Sequence, residues 1–96
     1  MGALAEVARI RAAEERRDQL LDELVAELLE EHGEVCSSTL ADALRDTDRE
    51  CWRTRRYAVR LALQWLDAAE ERGELESEIR RHPSGGFVRR WFWRPV

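Results

Sequence analysis

Apolar and polar positions divide most sharply between residues 48 and 72. Apolar side chains recur there at intervals of three and four residues: Val59, Ala62, Leu63, Leu66 and Ala69, with Ala58, Leu61 and Trp65 beside them. This spacing predicts one long helix over residues 48–72 whose apolar side packs into a core. A polar stripe covers the opposite side of that helix: Arg53, Arg56, Arg60, Gln64, Asp67 and Glu71.

The polar stripe is basic in its first half and acidic in its second, the reverse of what a helix macrodipole favours. A charge of the wrong sign near a helix end costs about 0.3–1 kcal/mol. Four Arg fall in the first turns: Arg49, Arg53, Arg55 and Arg56. A partner rich in negative charge would account for them, and nucleic acid is the commonest such partner. The alternative is a solvated Arg face with ion pairs along the helix.

A second amphipathic pattern covers residues 20–32 and predicts a core-facing helix that stops at Gly33. Its apolar stripe is Leu20, Leu21, Leu24, Val25, Leu28 and Leu29. Residues 1–19 are also helical in character, either continuous with residues 20–32 or as a separate helix. Their small apolar patch is interrupted by charged residues at positions 14–17. We expect either an extension that pairs with a second copy of the chain or a solvated N-terminal helix.

The middle of the chain predicts a short extended stretch, residues 34–36, followed by a helix over residues 38–45. Ser37 or Ser38 is the expected N-cap, and Asp42 is expected near the positive end of the helix. A polar turn follows, with Thr47 or Asp48 as the expected N-cap of the long helix.

Residues 75–81 and 87–93 alternate between apolar and polar, and the sequence HPSGG lies between them. This pattern predicts a β-hairpin. Pairing Ile79 with Val88 and Leu75 with Phe92 places apolar side chains together on the core face, and it sets Glu78 opposite Arg89. The fold class is therefore mainly α with a small β-hairpin (α+β).

Charge separates the two halves of the chain. The net charge is −4, and all sixteen basic residues are Arg. Residues 1–48 hold 5 Arg and 13 acids, a charge of −8, whereas residues 49–96 hold 11 Arg and 7 acids, a charge of +4. Such a basic half can bind nucleic acid locally, and the acidic half makes the binding salt-sensitive. No apolar run approaches the ~20 residues of a membrane span, and the N-terminus lacks the apolar core of a signal peptide. We expect a cytoplasmic protein of one domain.

Catalysis and metal binding are not expected. Cys36, Cys51, His32 and His82 could be written as a zinc set, but zinc ligands usually come in pairs two to four residues apart, and only His32 and Cys36 are that close. Two reduced cysteines at helix starts explain the sequence as well, and a reversible disulfide between them is conceivable. The chain also lacks a nucleophile elbow or a phosphate-binding glycine loop. We therefore expect no enzyme activity, no cofactor and no small-molecule substrate.

The order of these elements resembles the winged helix-turn-helix domain. The segment GEVCSSTLADAL resembles its first short strand and second helix, DTDRECWRTRRYAVRLALQWL its turn and recognition helix, and GELESEIRRHPSGGFVRRWFW its wing. The resemblance implies a winged-helix domain over residues 20–96, with three helices and a C-terminal wing. Residues 1–19 are then an N-terminal helical extension and a possible dimerisation segment.

The resemblance implies a set of DNA contacts. The start of the recognition helix approaches base edges, where Arg can donate two hydrogen bonds to guanine. The implied base contacts are Arg53, Arg56 and Arg60, and Arg49 and Arg55 are implied phosphate contacts. Ser38 and Thr39 would donate to the DNA backbone. On the wing, phosphate or minor-groove contacts fall to Arg80, Arg81, Arg89 and Arg90. Trp52 lies at the start of the same helix, either as a buried anchor or as a stacking residue.

The expected function is sequence-specific binding of double-stranded DNA by a small transcriptional regulator, acting as a homodimer through the N-terminal helix. The alternative is a winged helix used for protein–protein contact or assembly. A third possibility is single-stranded nucleic acid binding, with Trp91 and Trp93 stacking on bases. Arg side chains that converge on one face favour DNA binding, whereas Arg side chains paired with acids favour the interaction module.

Overall fold

The computed structural model describes residues 2–47 and 54–95 of the chain. Three helices are followed by two strands: α1 (Gly2–His32), α2 (Ser37–Thr47), α3 (Arg55–Glu71), β1 (Leu75–Arg81) and β2 (Phe87–Trp93). The two strands form an antiparallel hairpin, so the architecture is mainly helical α+β, as predicted. Among the described residues, each helix is too short or too polar to cross a bilayer.

The first helix is one continuous element of 31 residues, and only its second half packs into the domain. Leu21, Val25 and Leu29 are each no more than 3% exposed, because their spacing of four residues keeps them on the side that faces the other helices. In the first half, Leu4 and Ile10 remain 85% and 57% exposed. The helix therefore extends beyond the core that it helps to form.

Helix α2 begins one residue earlier than the predicted boundary. The carbonyl of Cys36 accepts the first helical hydrogen bond, from the amide of Leu40 at 3.1 Å, which makes Cys36 the N-cap in place of Ser37 or Ser38. Asp42 consequently lies in the second turn, and the first turn holds no acid. Leu40, Ala41 and Leu44 are fully buried, and α2 packs against α3.

The prediction of one helix over residues 48–72 is wrong at its start. Thr54 is extended (φ −126°, ψ 143°), and its side chain caps α3 by accepting a hydrogen bond from the Tyr57 amide. Of the two predicted caps, Thr47 is the last residue of α2, and Asp48 lies outside the described residues. The buried side of α3 is Ala58, Ala62, Leu66 and Ala69.

Leu63, which the sequence predicted as part of that buried side, is 40% exposed. It lies between the core side of α3 and the polar stripe. The end of the helix follows the prediction, because Gly73 (φ 80°) donates to the Glu70 carbonyl and Glu74 donates to the Ala69 carbonyl. This is the left-handed stop that glycine adopts without strain.

The strands have the predicted bounds, but the predicted register is wrong by one residue. Leu75 pairs with Trp93 rather than Phe92, and Ile79 pairs with Arg89 rather than Val88. The loop takes all five residues between the strands, since Gly85 and Gly86 both have positive φ (100° and 77°) and end the strand geometry. A shift of one residue moves every side chain of β2 to the other face.

Trp91 therefore lies on the core side, where it is 1% exposed. Its backbone also exchanges two hydrogen bonds with Val35, of 2.8 and 2.9 Å. The extended stretch predicted for residues 34–36 thus forms an isolated antiparallel bridge to β2. This bridge fixes the hairpin to the start of α2, and Trp91 closes the core formed by the three helices.

Candidate nucleic-acid interface

The first turn of α3 carries two exposed Arg and no acid. Arg55 and Arg56 directly follow the cap residue Thr54, and Arg60 lies one turn further along, also exposed. Neither Arg56 nor Arg60 forms an ion pair with any of the described residues. This end of α3 therefore combines the positive end of the helix dipole with guanidinium groups open to solvent.

The alternation of the hairpin strands divides its four Arg between two faces. Arg81 and Arg89 lie on the face that carries Leu75 and Trp91 towards the core, whereas Arg80 and Arg90 lie on the opposite face. The predicted set of four wing contacts is thus split by the fold. Arg81 is exposed and has no ion-pair partner among the described residues.

Arg89 connects the hairpin to α3. Its Nη1 lies 4.0 Å from an Asp67 carboxylate oxygen, and its Cζ lies 5.9 Å from the centre of the Trp91 ring. Asp67 belongs to the same stripe of α3 as Arg56 and Arg60, about 16 and 10 Å further along the axis. We call Arg56, Arg60, Arg81 and Arg89 the helix–hairpin surface, because the Arg89–Asp67 contact brings its two segments together.

Arg80 and Arg90 point away from that surface and share one acid. Arg80 Nη1 donates to Glu34 at 2.5 Å and Nη2 donates to Glu78 at 3.2 Å, while Arg90 Nε lies 3.5 Å from the other oxygen of Glu34. The hydrogen bond to Glu78 and the charge of Glu34 raise the pKa of Arg80 above its ordinary value. These two members of the predicted site are therefore already occupied by carboxylates.

The remaining predicted contacts are distributed differently. Arg55 Nε donates to Asp42 of α2 at 3.2 Å, and Arg49 and Arg53 lie outside the described residues, as does Trp52. The hydroxyls of Ser38 and Thr39 lie 3.2 and 3.0 Å from the sulfur of Cys36. Both hydroxyls are thus engaged within the start of α2.

The Cys36 thiol is buried beneath those hydroxyls. Burial raises its pKa, but hydrogen bonds from Ser38 and Thr39 and the charge of Arg90 outweigh that effect, so the pKa lies below the ordinary 9.0. Cys36 is a free thiol, and Cys51 lies outside the described residues. Over residues 2–47 and 54–95, no three side chains of His, Cys, Asp or Glu come together as metal ligands.

The sequence did not predict Glu34 or Asp67 as ion-pair partners of the hairpin Arg, although Asp67 was placed on the polar stripe of the long helix. Strand alternation could have indicated Glu34, since it adjoins the bridging Val35 and faces the same side as Arg90. Stacking on bases through Trp91, considered from the sequence, is inconsistent with its burial, whereas Trp93 is 55% exposed.

No protein-family model, curated protein or solved structure matches the chain.

Proposed function

We propose that this protein binds double-stranded DNA through the helix–hairpin surface, as a small sequence-specific transcriptional regulator with a winged helix-turn-helix arrangement. The observation that carries the proposal is the Arg89–Asp67 contact. It puts a hairpin guanidinium on the same side of the molecule as Arg56 and Arg60 of α3, which have no ion-pair partner within the described part of the chain.

The arrangement of elements supports this proposal. Helix α2 packs against α3, as the two helices of a helix-turn-helix do, and the hairpin follows α3 directly. An isolated antiparallel bridge from Val35 lies along the other side of β2. In a domain of this kind α3 enters the major groove and the hairpin lies beside it over the phosphate backbone.

The proposal gives the Arg of this surface distinct roles. Arg56 lies in the first turn of α3, where side chains of a recognition helix reach base edges, and its guanidinium can donate two bonds to guanine. Arg60 follows it one turn later. Arg81 and Arg89 on the hairpin serve as phosphate contacts, which add affinity without sequence preference.

Two paired changes test the proposal, with a control of equal charge. Arg56→Gln/Arg60→Gln removes two members of the surface, and Arg80→Gln/Arg90→Gln removes two Arg that are held by Glu34. A duplex enriched from a random library and an unrelated duplex are titrated with each protein. The first variant should lose about 1–3 kcal/mol per base contact on the enriched duplex, and the control should stay near wild type.

The salt dependence separates the hairpin contribution. Each phosphate contact removed should reduce the slope of log affinity against log salt by about 0.9, so Arg89→Gln should flatten the plot. Equal losses in the first variant and the control would show that only total charge matters. Failure of the wild type to bind any duplex at low salt would reject DNA binding.

A second function, protein–protein contact, is favoured by one observation. The outer half of the hairpin carries Ile79 and Phe87, which are 60% and 78% exposed and lie on the same face as Arg81 and Arg89. An apolar tip of this kind suits a protein partner. A wild type that ignores duplex DNA but loses a protein partner on Phe87→Ser would support this function instead.

A further inference from the structure

The first half of α1 has an apolar row that nothing in the described domain covers. Leu4, Val7 and Ile10 are 85%, 46% and 57% exposed. Helix α1 is continuous over Gly2–His32, so its exposed half is anchored by the packed half, and these apolar side chains would gain free energy if a partner removed them from water. The row is therefore a candidate contact surface.

Val7 and Ile10 of this row belong to a heptad spacing that continues into the packed half of α1. Intervals of four and three residues alternate through Ala3, Val7, Ile10, Glu14, Arg17, Leu21, Leu24 and Leu28. This is the spacing of the a and d positions of a coiled coil. Two charged residues lie at the middle of an otherwise apolar seam, and neither Glu14 nor Arg17 has an ion-pair partner among the described residues.

We propose that α1 docks antiparallel against α1 of a second copy of this chain, with residue numbers at each level adding to 31. Val7 then lies level with Leu24 of the second copy, and Ala3 with its Leu28. Leu24 and Leu28 are only partly buried by their own domain, so they offer apolar area to the incoming helix. Ile10 lies level with Leu21 of the second copy. Because that Leu21 is buried in its own domain, Ile10 packs over the partly buried leucines that flank it on the second copy.

The charges at the centre select this orientation. Glu14 of each copy lies level with Arg17 of the other, which forms two symmetry-related ion pairs about the two-fold axis. A parallel, in-register pair would instead place Glu14 against Glu14 and Arg17 against Arg17. Polar residues at seam positions commonly fix register at some cost in stability.

The overlap is long enough for a specific pair. Residues 3–28 of both copies lie side by side over about 38 Å of helix. The apolar row of each extension is covered by the packed half of the other copy, so both copies gain the same contacts. The proposal does not rest on DNA binding, because the hairpin and the start of α3 take no part in it.

Charge reversal tests the pairing. Glu14→Arg and Arg17→Glu each create two like-charge contacts and should weaken dimerisation on the order of 100-fold. The double reversal restores both pairs with exchanged signs and should dimerise like wild type. Sedimentation equilibrium measures each constant, and far-UV circular dichroism checks that every variant remains helical.

Cross-linking tests the orientation. Val7→Cys and Leu24→Cys proteins, mixed and oxidised, should form a mixed disulfide, with wild type as the control for the native cysteines. Val7→Cys alone should form none, since its two copies lie about 25 Å apart and a disulfide requires Cα atoms within about 7 Å. A monomeric wild type, a dimer unaffected by single reversal, or a Val7→Cys homodisulfide would overturn the proposal.

Discussion

Substitution of Trp91 is the most direct test of how the hairpin is fixed to the helices. It is 1% exposed and is the largest of the fully buried side chains, and its backbone bonds to Val35. Trp91→Ala removes the whole indole from the closed end of the core. Truncations of buried Phe or Trp to Ala typically cost about 3–5 kcal/mol.

That loss is large relative to the stability of a chain of this length. At about 0.05–0.15 kcal/mol per residue, 96 residues give about 5–14 kcal/mol in total. The indole Nε1 is buried without a hydrogen-bond partner within the described part of the chain. Burial of an unpaired donor costs about 1–3 kcal/mol, so Trp91→Phe, which removes the donor and keeps a ring, should cost clearly less than Trp91→Ala.

Urea unfolding followed by far-UV circular dichroism measures these changes without relying on Trp fluorescence. Phe92→Ala is the matched control, because Phe92 is only half-buried and lies on the other face of β2. The register predicted from the sequence would bury Phe92 and expose Trp91. A larger loss in Phe92→Ala than in Trp91→Ala would therefore refute the observed register and the docking of the hairpin.

Two further changes probe local features. Gly73→Ala should destabilise the protein by about 1 kcal/mol or more, because Gly73 has φ 80° and an added Cβ would lie 3.0 Å from the Arg94 guanidinium; equal urea midpoints for variant and wild type would contradict this. The folded pKa of Cys36 lies below the ordinary 9.0, so folding favours its thiolate. The free energy of unfolding relative to Cys36→Ser should therefore be higher at a pH above 9.0, and this advantage should be lost as the pH falls through the folded pKa. A difference in unfolding free energy that is flat from pH 7 to 9.5, or that has the opposite sign, would argue against the lowered pKa.

Apolar periodicity was sufficient to predict the element types and the hairpin bounds. It was not sufficient for the start of α3, since Thr47, Asp48 and Thr54 are all residue types that cap helices. Residue type alone therefore does not choose among them. The same applies to Cys36, whose capping role follows from the backbone and from its fit beneath Ser38 and Thr39.

The hairpin register was decided by the loop. Cross-strand pairing of Ile79 with Val88 matched apolar with apolar and acid with base, yet it required Gly86 to join a strand. Gly86 adopts φ 77° instead, and the resulting shift buries Trp91 in place of Phe92. Side-chain matching alone therefore gave a plausible register with the wrong face inward.

The candidate site was predictable in composition and not in pairing. Runs of Arg in residues 53–60 and 80–90 are visible in the sequence, but their carboxylate partners are distant along the chain. Glu34 is 46 residues from Arg80, and Asp67 reaches Arg89 only after the hairpin folds back on α3. Which Arg remained open to solvent could not be derived without those contacts.

An ion pair with a carboxylate does not by itself prevent an Arg of the hairpin from binding phosphate. Exposed ion pairs contribute about 0–1 kcal/mol each, and both partners of the Arg89–Asp67 pair retain about half of their side-chain exposure. Exchange of Asp67 for a phosphate therefore loses little, whereas neutralised phosphates release counterions with every contact. Arg80 and Arg90 differ, because they share Glu34, which is only 28% exposed, and both lie on the far face of the hairpin. Position and burial, rather than the count of ion pairs, thus separate the Arg that we propose as DNA contacts from the Arg that are held by Glu34.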